Sequence, residues 1–197
     1  MKSDVNAVKW AKTINVISAA LMLVAGVLLL CLPDLSNAAL QRGVLGALFL
    51  LTCAAKILGY FSNDLYRLAF QFDLAVGVLS GVLACAILFA PERTFLLLPV
   101  FLIAYVMFDA VLKLQIAIDA KRFGMRSWLA IFTTSLVLFL AAAAVVMAMM
   151  TGRFRPTAAV GLALAADGVQ NAWITMHTVR IRARKKHQSE RFGLEET

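Results

Sequence analysis

Five charged residues interrupt long apolar stretches of this sequence, where charge is costly and therefore informative. They are Lys56, Asp73, Asp109, Lys113 and Asp167. Carboxylates and ammonium groups in such surroundings can pair, relay protons or line a path for an ion. An unpaired charge at the centre of a membrane helix costs about 2.5–3.5 kcal/mol. We therefore expect these side chains to face the interior of a helical bundle.

The polar residues recur in pairs four positions apart, a spacing that puts both side chains on one face of a helix. The three pairs are Thr52/Lys56, Asp109/Lys113 and Asp167/Asn171. Asp109 and Asp167 are 58 residues apart, and Thr52 precedes Asp109 by 57. The pairs Asn15/Asp73 and Pro33/Pro91 are also separated by 58 residues. Agreement in one register predicts three copies of a helical hairpin that superpose about a pseudo-threefold or similar axis.

The spacing also predicts partners within this candidate polar cluster. Lys113 lies one helical turn after Asp109, which predicts an intrahelical ion pair, whereas the helix of Asp167 offers only Asn171. Asp167 therefore needs a cation from another helix, and Lys56 is the one left over, or it takes up a proton. Lys56 and Lys113 lie near helix ends, so their stems could instead reach the interface. The cluster comprises Asn15, Lys56, Asp73, Asp109, Lys113, Asp167 and Asn171, with Thr133 as a further hydrogen-bonding candidate.

The sequence contains no recognisable catalytic motif. It has no nucleophile elbow, P-loop, HExxH motif or dinucleotide-binding fingerprint, and no long polar loop to carry one. Cys31, Cys53 and Cys85 lie in apolar stretches without a CxxC spacing, which is typical of small buried hydrophobic residues. We predict a non-enzymatic protein with no catalytic residues, no cofactor and no metal site.

The elements that position these residues follow from composition. Of the 197 residues, 62% are hydrophobic and 15% charged, with a mean hydropathy of +0.85. A small soluble domain cannot bury that much apolar surface. Six apolar runs approach the roughly 20 residues that a bilayer span needs, and they predict an all-α polytopic membrane protein with six transmembrane helices. The runs are 13–33, 39–60, 68–90, 94–118, 128–150 and 156–178.

Breaks between the runs predict the domain organisation. Pro33-Asp34, Pro91 and Thr151-Gly152 mark tight turns, which define hairpins over 13–60, 68–118 and 128–178. Residues 1–12 form an N-terminal segment and 179–197 a basic tail. The cations before the first run give a passable signal-peptide outline, but that run is longer than a usual signal core, so we expect it to be retained.

The basic residues predict orientation. The formal net charge is +8; thirteen cations fall on the predicted face that carries both termini and four on the other. By the positive-inside rule both termini are cytoplasmic. We expect this charge to meet anionic lipid headgroups, not nucleic acid. Gly77-x-x-x-Gly81 permits close helix contact, either within the bundle or in a homo-oligomer.

Several motifs resemble a known family. They are the stretch 77–83 (GVLSGVL), Pro91, the stretch 101–105 (FLIAY), the stretch 109–122, and Ser127-Trp128-Leu129. Together they resemble the HdeD family, small bacterial inner-membrane proteins built from three repeated hairpins. The likeness is strongest over 68–150, and the fifth run lacks the family's usual Gly and closing Pro. The resemblance implies a role linked to acid resistance and supplies no catalytic residues.

Three functional hypotheses follow. The first is a non-enzymatic inner-membrane protein of the HdeD type that acts in acid or envelope stress. The second is a small transporter or channel using the intramembrane Asp and Lys residues, which requires polar groups reachable from both faces. The third is an accessory membrane subunit that docks a partner through its basic tail.

Overall fold

The computed structural model describes residues 2–31, 38–61, 72–89, 91 and 97–178. These residues form six α-helices, in agreement with the predicted all-α class. The helices are α1 (Lys2–Cys31), α2 (Ala38–Tyr60), α3 (Asp73–Phe89), α4 (Leu98–Arg122), α5 (Trp128–Met150) and α6 (Pro156–Thr178).

Four helices are long and apolar enough to cross a membrane, which fits a multi-pass membrane protein. The four stretches are Lys12–Cys31, Arg42–Tyr60, Leu98–Arg122 and Trp128–Met150. Helix α3 is equally apolar but covers 17 residues. Helix α6 has 23 residues, among them Asp167, Gln170 and Asn171, which lower its hydropathy.

The helix ends differ from the prediction where local chemistry decides them. Helix α1 begins at Lys2 instead of 13. Helix α4 has a proline in its first turn, where the missing N–H is harmless, and runs on to Arg122 instead of 118. It ends in a Schellman arrangement, in which Gly124 has φ +67° and Met125 donates to the Ala120 carbonyl at 2.9 Å. Gly152, with φ +69°, terminates α5 in the same way, as predicted.

Several predicted features fall outside the described residues. These are the Pro33-Asp34 turn, residues 68–71 of the third run, residues 94–96 of the fourth, and the basic tail 179–197.

Successive helices run in alternating directions. Lys12 Nζ near the start of α1 donates to the Met176 carbonyl near the end of α6, at 3.4 Å. Lys121 Nζ near the end of α4 lies 4.7 Å from the ring centroid of Trp128 at the start of α5. We call this end, where α3 and α5 begin and α4 and α6 end, the basic end. The other is the opposite end.

The closest helix pairs are offset by one helix from the predicted hairpins. Helix α2 packs most closely on α3, α4 on α5, and α1 on α6, whereas the contacts within the hairpins α1–α2, α3–α4 and α5–α6 are looser. Small residues are the reason, because they let backbones approach. A Cβ atom at Gly77 would lie 3.1 Å from Ile57, and one at Gly81 would lie 3.0 Å from Cys53 Sγ. The Gly77-x-x-x-Gly81 motif is therefore used inside the bundle.

Glycines also form the seam between the first and last helices. A Cβ atom at Gly161 would lie 2.7 Å from the Gly26 carbonyl oxygen, and one at Gly168 would lie 2.7 Å from that of Ala19. These contacts are to backbone atoms, which cannot swing aside. The seam consequently closes the helices into a ring in which α1 and α6 are neighbours.

The cysteines lie partly on the outside. Cys53 packs between α2 and α3, whereas Cys31 and Cys85 are exposed. The prediction that all three are buried is wrong for Cys31 and Cys85, because an apolar run facing lipid has the same composition as one facing the core.

The α1–α6 seam yields a test with a matched control. A Cβ atom at Gly26 would lie 2.6 Å from the Gly161 carbonyl oxygen and 2.8 Å from Ala165 Cα, whereas one at Gly43 meets nothing within 4 Å. We expect Gly26→Ala to lower the free energy of unfolding by about 1–3 kcal/mol, the usual range for overpacking. Gly43→Ala should be neutral or stabilising, since Ala is the better helix former. Unfolding of both purified variants in detergent would measure this, and equal stability would contradict the seam.

Candidate functional site

The intramembrane polar residues gather in one layer of the bundle. Asn15, Asp73, Asp109, Lys113 and Asp167 are all buried, and Lys56 and Asn171 are partly buried. The layer consists of two groups, one centred on Lys113 between α4 and α6, the other on Asp73 between α1, α2 and α3. The structure therefore brings together all seven residues of the candidate polar cluster.

Lys113 is the centre of the first group. Its Nζ lies 2.5 Å from Asp109 Oδ2, one turn away on α4, as the spacing predicts. It also donates to Asp167 Oδ1 at 2.7 Å and to Gln170 Oε1 at 3.1 Å, both on α6. Three acceptors match the three N–H donors of an ammonium group. With only 3% of the side chain exposed, Lys113 does not reach the interface.

Asn171 joins the two carboxylates from the other side. Its Nδ2 donates to Asp167 Oδ2 at 2.9 Å and lies 3.3 Å from Asp109 Oδ2. Asp109 and Asp167 thus share one ammonium group and one amide, although they belong to different helices.

Gln170 extends this group to α5. Its Nε2 donates to Ser135 Oγ at 2.8 Å and lies 3.4 Å from Thr134 Oγ1. Thr133, the residue expected to take part, instead bonds the Leu129 and Ala130 carbonyls of its own helix and is exposed. Sequence reasoning missed Gln170 because it considered only residues four positions apart. Gln170 lies three positions after Asp167, which also places it on the same helix face.

The second group ties three helices together. Lys56 Nζ donates to Asp73 Oδ1 at 2.9 Å, and Asn15 Nδ2 lies 3.4 Å from Asp73 Oδ2. Lys56 therefore forms its ion pair with Asp73, and the predicted pairing of Lys56 with Asp167 is wrong. The error came from treating Lys113 as fully used by Asp109, although one ammonium group can serve carboxylates from two helices.

Four residues with hydroxyl groups form two further contacts, one level further from the basic end. Ser18 Oγ and Thr52 Oγ1 are 3.1 Å apart across α1 and α2. The predicted pair Thr52/Lys56 is therefore divided, since Thr52 faces α1 while Lys56 faces α3. Ser80 Oγ lies 3.1 Å from the hydroxyl of Tyr105, which places a further polar contact between α3 and α4.

Apolar residues cover this layer towards the opposite end and, over the Lys113 group, towards the basic end. Towards the opposite end lies the main core, which includes Leu29, Leu45, Phe49, Ile87, Leu102, Ile103, Leu138, Val160 and Leu164. Towards the basic end a smaller cluster covers the Lys113 group, formed by Ala117, Ala120, Met125, Ile131 and Ile174. No group of three or more metal-ligating residues was found among the described residues. Within the part of the chain that the structure describes, the arrangement can hold charge and protons, and the main apolar core covers its side towards the opposite end.

Comparison with a known family finds two copies of a repeat at the predicted spacing of 58 residues. The family model DUF308, a short repeat of unknown function, matches twice, over residues 17–89 and 75–148. The chain belongs to this family. The two matches begin 58 residues apart, at 17 and 75, which is the spacing that relates Asn15 to Asp73. Neither a search of curated proteins nor one of solved structures returned a match.

Lys113 contacts two carboxylates and Lys56 contacts one, and this difference gives a second test. Lys113→Met would leave two carboxylates buried without a cation, so we expect a loss of about 3–5 kcal/mol in the free energy of unfolding. Lys56→Met should lower the free energy of unfolding by less, because it leaves only one carboxylate without a cation. The Lys56 side chain is also 12% exposed. Arg122→Met, in the surface pair with Asp119, should stay within about 0.5 kcal/mol of the unmodified protein. Unfolding in one detergent would rank the variants, and a larger loss for Lys56→Met would refute this account.

Proposed function

We propose that this protein is a non-enzymatic inner-membrane protein of the HdeD type that acts in the response to acid or envelope stress. The observation that carries the proposal is the closed ionic layer, in which three carboxylates face two ammonium groups between apolar clusters. Such a layer responds to protons because its charge balance changes when a carboxylate is protonated.

Six membrane spans fit this role. Helix α3, with 17 residues, is at the short end of the spanning range. Helix α6 turns Asp167 inward and exposes Leu162 and Val169, so its outer face is apolar despite its polar residues. Together with the four longer apolar helices they make six spans, and both termini then lie on one side of the membrane.

Charge supports a cytoplasmic position for the basic end. Lys12, Lys121 and Arg122 lie there, and Lys121 stacks on Trp128 as residues of a headgroup region do. Anionic headgroups of the cytoplasmic leaflet are the partners that suit these cations.

Transport is less well supported than a stress role. A transporter needs polar groups that connect both faces, and here the half of the bundle towards the opposite end is filled by apolar side chains. An accessory role through the basic tail depends on residues outside the described part of the chain.

Orientation can be tested with reporters. A cytoplasmic C-terminus should make a periplasm-dependent alkaline phosphatase fusion inactive and a fluorescent-protein fusion bright. Fusions within the connection between α5 and α6 should give the reverse result, because it lies at the opposite end. An active phosphatase at the C-terminus would overturn the cytoplasmic position of that terminus.

The stress role can be tested by survival. Removing the gene from a bacterium that encodes this chain should lower survival after acid shock, and the unmodified chain should restore it. Arg122→Met should complement fully, whereas Lys113→Met should not, because it unbalances the ionic layer. Immunoblots must show equal amounts of both variants in the membrane. Unchanged survival of the deletion strain in acid and under envelope stress would reject the role.

A further inference from the structure

Asp109 and Asp167 form an unusual carboxylate pair. Both accept from the same two donors, Lys113 Nζ and Asn171 Nδ2, with heavy-atom distances between 2.5 and 3.3 Å. Both are buried, and Asp167 has no exposed surface. The pair carries two negative charges against one ammonium group.

Among the described residues, the surrounding elements do not supply the missing positive charge. Lys56 on α2 lies within electrostatic reach of both carboxylates but is already engaged by Asp73 on α3 at 2.9 Å. The other polar side chains described near the pair are neutral at ordinary pH. Tyr105 on α4 and Gln170 on α6 are nearest. Asn15 on α1 contacts Asp73, and Ser135 on α5 contacts Gln170. With every acid and base ionised, the ion pairs of the layer sum to one uncompensated negative charge.

The geometry of the two carboxylates indicates what balances this negative charge. The two carboxyl groups converge on the same donors, because Lys113 Nζ contacts Asp109 Oδ2 and Asp167 Oδ1, and Asn171 Nδ2 lies within 3.3 Å of an oxygen of each. Ionised carboxylates only accept hydrogen bonds, whereas a protonated carboxyl group can donate one to a neighbouring carboxylate. Two buried carboxylates at one site resist simultaneous ionisation, because their like charges repel each other.

We propose that Asp109 and Asp167 are a binding site for one proton, held as an O–H on one carboxyl group and accepted by the other. The proton lowers the charge of the pair to −1, which Lys113 neutralises. The inference deepens the proposed function and rests on its closed membrane bundle, since a water-filled site would tolerate both charges. It assigns the pair as a unit, because a shared proton belongs to neither residue alone.

The polar residues indicate where the proton enters. The apolar cluster of Ala117, Ala120 and Ile174 covers the pair on the α4–α5–α6 side of the basic end. On the other side stands the Lys56–Asp73 group, with Asp73 in the first turn of α3 and Lys56 partly exposed. The proton should therefore exchange with solvent at the basic end, by a path past Lys56 and Asp73.

Infrared spectroscopy of the purified full chain in detergent or nanodiscs tests the site. At neutral pH the unmodified protein should show the C=O stretch of a protonated carboxylic acid, and isotope-labelled aspartate should shift this band. Asp109→Asn and Asp167→Asn should each abolish it, because either change leaves one carboxylate paired with Lys113. Asp119→Asn, which alters a carboxylate of a surface ion pair, should retain it.

The infrared spectrum of the unmodified protein tests the proposed proton site even if a variant fails to fold. Absence of an aspartic-acid band at neutral pH would overturn the proposal, and so would a band that persists in both folded Asn variants. A protein that lacks the band but is stabilised selectively by Na⁺ or K⁺ would hold a metal cation in place of the proton. A band present while acid survival is unaffected by gene deletion would uphold the proton site and reject only the stress role.

Discussion

The ammonium group of Lys113 must be neutralised where it lies, because its side chain is enclosed and cannot move to the surface. This requirement links three helices. Asp109 is on the same helix, Asp167 and Gln170 come from α6, and Gln170 in turn holds α5 through Ser135. A shift of α6 by one residue would separate Lys113 from both of its α6 partners. The polar layer therefore fixes the register of α4, α5 and α6, whose apolar surfaces alone would permit sliding.

Glycine contacts provide a complementary constraint on the remaining helices. In lipid, apolar side chains gain little by leaving the solvent for one another, so close backbone approach and hydrogen bonds carry the association. Gly26, Gly161 and Gly168 give α1 and α6 such an approach, and Gly77 and Gly81 do the same for α3 on α2. The glycines set distance, whereas Asn15, Lys56 and Asp73 set register. Each device supplies what the other cannot.

Local features of this fold could be predicted from the sequence, and non-local ones could not. The helical class, the Gly152 terminus and the Asp109–Lys113 pair depend on residues within one or two turns of each other. The Lys56–Asp73 and Lys113–Asp167 pairs depend on which helices are neighbours and how each is rotated. Short connections such as Thr151-Gly152 suggested hairpins, but small side chains on other faces determine the closest pairs. Composition does not reveal rotation when all faces are apolar, which is also why Cys31 and Cys85 were misplaced.

The seam between α1 and α6 has a consequence for biogenesis. A chain is made from its N-terminus, so α1 enters the membrane well before its closest partner exists. Until α6 arrives, the Gly26 face of α1 has no helix of its own chain to pack against, and Lys113 has only Asp109. Helix α6, the last of the six described helices to be synthesised, both closes the ring and completes the ionic layer. Closure of the ring is therefore a late step, and any chain cut short before α6 leaves the ribosome with its glycine face and its charges still exposed to lipid or to quality-control proteases.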